Sequence, residues 1–89
     1  MFNKRRSEIQ IIKEILDLSK NGAKKTEILY QGNMSFSQLQ NYLSYLIEKK
    51  VIEENISYKQ NGSTNKVYVT TKKGNNLLED INSVYSYFE

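Results

Sequence analysis

Asn61-Gly62 stands between two short runs rich in β-branched residues, one holding Val51, Ile52 and Ile56 and the other Lys66-Val67-Tyr68-Val69-Thr70. Asn-Gly is the strongest short hairpin signal, because both residues tolerate the positive φ that tight hairpin turns require. Three segments before Val51 have helical spacing, and so does the one after Thr71. One hairpin set after three helical segments and before a fourth predicts an α+β domain of order ααα-ββ-α. The polar stretch from Tyr58 to Asn65 is the expected loop, with Val67 and Val69 sharing one face of the return strand.

The first helix is expected from Ser7 to Lys20. Ser7 caps it, and Glu8 sits in the first turn, where the helix dipole favours an acid. Ile9, Ile12, Ile15 and Leu16 recur at helical spacing, with Ile11 and Leu18 widening the stripe. Asn21-Gly22 stops it, since both residues accept the left-handed conformation. A short second helix follows from Lys24 to Tyr30, buried through Ile28 and Leu29. Gln31-Gly32-Asn33 reads as a turn in which Gly32 takes the positive φ. The third helix runs from Ser35 to Lys49. Ser35 and Gln38 have the spacing of a capping box, and Met34 and Leu39 that of a hydrophobic staple. Its apolar stripe is Phe36, Leu39, Leu43, Leu46 and Ile47, widened by Tyr42.

Two short helices joined by a Gly-containing turn form a helix-turn-helix, and a hairpin directly after them makes it winged. The third helix buries one face and leaves the other free to enter a DNA major groove, which is about 12 Å wide and admits one helix. Removing the apolar stripe leaves Ser37, Gln38, Gln40, Asn41, Ser44 and Tyr45, with Ser35 at the helix start. Gln and Asn can bond bidentately to adenine, and Ser can contact several base edges. The face is uncharged until Glu48, so phosphate contacts are expected from its flanks. The candidates are Lys4, Arg5 and Arg6 at the start, Lys24 and Lys25 beside the second helix, and Lys59 and Lys66 in the wing.

Charge fits this partner. The net charge is +3, but residues 75–89 carry Glu79, Asp80 and Glu89 and no Lys or Arg, leaving +6 on the first 74 residues. A basic body with an acidic tail suits an anionic partner such as nucleic acid. No Cys and no His occur, which removes thiol nucleophiles, thiolate or imidazole metal ligands and the usual neutral-pH general base. Gly22, Gly32, Gly62 and Gly74 form no phosphate-cradling loop. The expectation is a cytoplasmic, nucleoid-associated DNA-binding protein that is not an enzyme, with no cofactor, metal, membrane span or small-molecule ligand.

Residues 22–30 (Gly-Ala-Lys-Lys-Thr-Glu-Ile-Leu-Tyr), Met34-Ser35-Phe36, Tyr42-Leu43 to Leu46, and Glu48-Lys49-Lys50-Val51-Ile52 resemble the archaeal small winged-helix regulators. So does Tyr68-Val69-Thr70-Thr71-Lys72-Lys73-Gly74 with the Leu77-Leu78 that follows. The chain is similar to the ten-kilodalton Sulfolobus proteins that pair a winged helix with an antiparallel coiled coil. The resemblance implies double-stranded DNA binding, a dimer built by the C-terminal helix, and a role in transcription or chromosome organisation. Those proteins usually carry Gly where Lys50 stands, so this helix end is expected to be built differently.

The chain divides into a winged helix-turn-helix at 1–70 and a C-terminal helix at 71–89. Leu77 and Leu78 are expected to pack on the first helix and the wing. Leu77, Ile81, Val84 and Phe88 are spaced four, three and four apart, a seam of under two heptads. Ile81, Val84, Tyr85 and Phe88 are the candidate dimerisation residues; the alternative is a helix that folds back to complete a monomer's core. Three functions fit: a transcription regulator, an architectural chromatin protein with little sequence preference, and a winged helix used to bind protein.

Overall fold

The computed structural model describes residues 7–89. Its elements are α1 (Glu8–Leu18), α2 (Lys25–Gly32), α3 (Phe36–Glu48), β1 (Ile52–Tyr58), β2 (Thr64–Thr70) and α4 (Lys72–Ser86). The order is ααα-ββ-α, as the periodicity predicts, and the strands pair antiparallel from Ile52↔Thr70 to Tyr58↔Thr64.

Local chemistry explains the helix starts. Ser7 and Gln10 form a full capping box: the Gln10 N–H donates to Ser7 Oγ at 3.2 Å, and the Ser7 N–H to Gln10 Oε1 at 2.8 Å. Ser35 caps α3 by accepting from the Gln38 N–H at 3.2 Å, but the reciprocal Gln38 arm of the expected box is not formed. α2 starts differently, with the Lys24 N–H donating to Glu27 Oε1 at 3.0 Å.

The turn between α2 and α3 corrects the sequence expectation. Gly32 is the last helical residue, and Asn33 takes the left-handed conformation with φ 51°. Gly32 is buried beside Met34, whose terminal methyl would have to move aside for a Cβ, 2.7 Å away. Met34 and Leu39, the expected staple, are both buried.

One core joins all six elements. Ile15, Leu16, Ile28, Leu39, Leu43, Leu46, Ile52 and Leu78 are essentially inaccessible to solvent. Two stripes are shifted from their expected centres. On α1 the buried set is Ile11, Ile15 and Leu16, while Ile9 is exposed. On α3, Phe36 sits at the first helical position, 61% exposed, because the core begins only at Leu39. Leu78 of α4 lies in the same cluster, so the boundary at 70/71 marks a change of element rather than of core.

The hairpin is tied to the body by its return strand. Tyr68 and Ala23 exchange backbone hydrogen bonds of 2.8 and 2.9 Å, the Thr70 N–H donates to the Ser19 carbonyl at 2.9 Å, and Thr70 Oγ1 to the Leu16 carbonyl at 2.7 Å. Tyr68 and Thr70 form the buried face, while Val67 and Val69 are half-buried on the other. The strands are longer than expected and the loop shorter. The Lys59 N–H donates to the Ser63 carbonyl (2.8 Å), the Gly62 N–H donates to the Lys59 carbonyl (3.0 Å), and Gly62 has φ 84°. This is a three-residue turn with Gly in the left-handed bulge position. Asn61 braces it by accepting from the Ser63 N–H and Oγ.

Candidate nucleic-acid interface

Leu39, Leu43 and Leu46 fix the rotation of α3, because their burial on the body decides which side faces out. The outward side carries Ser37, Gln40, Asn41, Ser44 and Tyr45, all exposed. Ser35 is exposed at the helix start, with its Oγ occupied by capping. Gln38 lies on the flank, half-buried, and not on the exposed centre as expected. Tyr42 is half-buried; burial, and then the Glu8 carboxylate, push its phenol above the ordinary value.

Lys25 crosses from α2 to this face. Its ammonium lies 5.1 Å from the centre of the Phe36 ring and donates to Gln40 Oε1. Gln40 Nε2 in turn lies 3.4 Å from Ser44 Oγ. The exposed Phe36 thus serves as the floor for a cation. With its carbonyl engaged by Lys25, Gln40 has its amide nitrogen directed along the helix. The uncharged face therefore has a cation built onto its N-terminal third.

The other predicted cations fall into three groups. Lys24 is exposed next to Lys25, and Lys59 is exposed at the base of the hairpin turn. Lys66 is exposed but has its ammonium 3.8 Å from the Glu54 carboxylate across the ribbon, a loose pair. Burial, and then the Glu54 carboxylate, push the Tyr68 pKa up to about 12. Arg5 and Arg6, with Lys4, lie outside the described residues.

Sequence reasoning missed a cluster at the far end of α3. The Lys49 ammonium lies 5.6 Å from the centre of the Tyr45 ring. Lys50 has φ 63°. Lys73 Nζ donates to the Lys49 carbonyl at 3.0 Å and Thr71 Oγ1 to the Lys50 carbonyl at 2.7 Å, so the start of α4, with Lys72 and Lys73, is held beside Lys49 and Lys50. The signal was two Lys-Lys pairs, but nothing in their 23-residue separation says that they meet.

On α4, Ile81 is already covered within the chain, at 6% exposure, so it is not an open part of a dimer seam. Val84 (54%) and Phe88 (74%) are exposed and Tyr85 is half-buried. Leu77, Ile81, Val84 and Tyr85 border a shallow apolar groove with Ile9 of α1. The Tyr85 hydroxyl is enclosed and has no hydrogen-bond partner among the described residues. Among those residues no helix is long and apolar enough to cross a membrane, and no three His, Cys, Asp or Glu gather as metal ligands.

Known proteins share this arrangement. An uncharacterized protein of Methanocaldococcus jannaschii is 38% identical over 82 residues, covering 91% of this chain but only 35% of that relative. The chain thus spans about a third of its relative's length. The crystal structure of Sso10a-2, a DNA-binding protein from Sulfolobus solfataricus, superposes with a TM-score of 0.72 at 23% identity, covering 92% of this chain and 81% of that one. Both relatives are archaeal, in keeping with the resemblance read from the residues. The winged helix-turn-helix family profile matches residues 5–88, and the chain belongs to that family.

Proposed function

We propose that this protein binds double-stranded DNA, with α3 in the major groove and the hairpin on the flanking backbone, and that it regulates transcription. The observation that carries the reading is the outward face of α3: Gln40, Asn41 and Ser44 for base edges, with Lys25 drawn onto that face from α2. A neutral polar reader with cationic flanks is what base readout positioned by phosphate contacts requires. The DNA-binding function named for Sso10a-2 supports the same reading. No enzymatic activity, cofactor or small-molecule effector enters the proposal, and its setting is the cytoplasm, on the nucleoid. Selection of bound sequences from a random DNA pool tests it. A regulator enriches one site by on the order of 10³-fold over random DNA. Recovery without sequence preference favours the architectural reading, and no recovery favours a protein partner.

The protein acts as a homodimer joined through the second half of α4. Exposed Val84 and Phe88, beside the half-buried Tyr85, support this. Burying such side chains contributes roughly 1.5–3 kcal/mol each. Pairing about a two-fold axis would present two recognition helices to one near-palindromic site.

A further inference from the structure

We infer that Lys49, Lys50, Lys72 and Lys73 form a second phosphate-contacting pole of the DNA interface, at the opposite end of α3 from Lys24 and Lys25. The inference rests on the duplex-DNA reading and says where that reading's affinity originates. Lys25 reaches α3 at Phe36 and Gln40, near its start; the lysine quartet gathers around its C-cap. The 13 residues of α3 extend about 20 Å. A helix of that length laid in a groove about 12 Å wide brings its two ends toward the two phosphate strands that border the groove.

Three observations single out the quartet. First, the cations are brought together by specific bonds: Thr71 Oγ1 to the Lys50 carbonyl, Lys73 Nζ to the Lys49 carbonyl, and the Thr71 N–H to the Val51 carbonyl at 3.0 Å. Gly74 allows this close approach, since a Cβ there would collide with the Val51 carbonyl. Second, the cluster is contiguous with the reading face, because the Lys49 ammonium lies over the ring of Tyr45. Third, among the described residues no carboxylate lies within ion-pair distance of the four ammonium groups, whereas Lys13 and Lys66 both have one. Glu48 and Glu53 are the acids close in sequence, and neither is ion-paired with any of the four. Four lysines gathered at one helix end with no paired carboxylate make that end strongly positive, and the phosphate backbone of a duplex is the partner that suits it.

The test is the salt dependence of binding to a labelled random-sequence duplex, measured by fluorescence anisotropy on the full chain. Each phosphate contact contributes about 0.9 to the slope of log K against log salt concentration. Lys49→Gln with Lys50→Gly, Lys72→Gln and Lys73→Gln should make the slope shallower by about 2–4. Arginine at all four positions should keep it. The charge-neutralising pair Lys13→Gln on α1 with Lys20→Gln in the turn after it should leave it unchanged. A quartet variant with the wild-type slope, or an equal fall in the α1 control, overturns the inference while leaving DNA binding intact. A wild type without salt-dependent duplex affinity overturns the DNA reading itself. Should circular dichroism show the quartet variant unfolded, Lys49→Gln with Lys72→Gln, whose side chains make no hydrogen bond among the described residues, gives the same readout at half size. An unchanged slope there overturns the inference as well.

Discussion

The Val51 N–H donates to the Leu46 carbonyl at 3.1 Å, closing the last turn of α3 over the intervening Lys50. With the Lys50 N–H on the Ile47 carbonyl at 3.0 Å, this is a Schellman motif, and Lys50 holds its left-handed position at φ 63°. The helix end is therefore built as it is around a glycine, contrary to the expectation drawn from the missing Gly. A side chain in that conformation costs roughly 1–2 kcal/mol. The motif persists because Leu46 and Val51 are both in the core.

Lys50→Gly should accordingly stabilise the fold. Relief of the left-handed strain outweighs the added flexibility of glycine in the unfolded chain, about 0.4–1 kcal/mol. A net gain of roughly 0.5–1 kcal/mol is expected, read as a higher denaturant midpoint at unchanged m-value. The same variant should bind DNA with a salt slope about 0.9 shallower. A lower midpoint would contradict the strain argument.

Tyr68 predicts a stability change in alkali. Its folded pKa, about 12, is raised above the ordinary phenol value of 10.0 by burial and by Glu54. The folded state holds the proton more tightly, so unfolding releases it, and stability falls as pH rises between these two values. The full loss is of order 2–3 kcal/mol, at about 1.4 kcal/mol per pH unit. Unfolding midpoints measured from pH 9 to 12 should decline in wild type and flatten in Tyr68→Phe. Equal declines in the two proteins would assign the effect to other groups.

Lys25 and Gln40 should act as a unit. Removing Lys25 frees the Gln40 carbonyl and the Phe36 ring together, so the single changes do not add. A double-mutant cycle of Lys25→Ala and Gln40→Ala on duplex affinity should show a coupling of roughly 0.5–2 kcal/mol. Additivity within about 0.3 kcal/mol would mean that the contact has no role in binding.

Dimerisation through α4 should fail when its open side is charged. Sedimentation equilibrium at micromolar concentration should find wild type dimeric, and Val84→Glu with Phe88→Glu monomeric with unchanged helix content. Both side chains are exposed in the single chain, so the fold itself loses little. A monomeric wild type would end the dimer proposal.

Much of this was legible in the sequence. Periodicity and the Ser7, Ser35 and Asn61-Gly62 signals located every helix and the hairpin, because each rests on neighbours in the chain. What escaped depends on distant residues. Phe36 fits the α3 stripe by spacing, yet the body ends before it, and it meets Lys25 from another helix. Ile81 fits a heptad seam, but it is already covered within the single chain. Gly32 looked like the turn residue because glycine suits positive φ, whereas α2 runs through Gly32 and Asn33 turns the chain. The lysine quartet forms only when the start of α4 docks on the turn after α3.

A protein that meets duplex DNA with this face binds it with an affinity that falls as salt rises. Titrating a short labelled duplex from about 50 to 200 mM salt should give a linear log–log plot with a slope of about −3 or steeper, set by the lysines around α3 and the wing. A duplex affinity that does not change with salt, or none at the lowest salt, would mean that this face does not bind DNA.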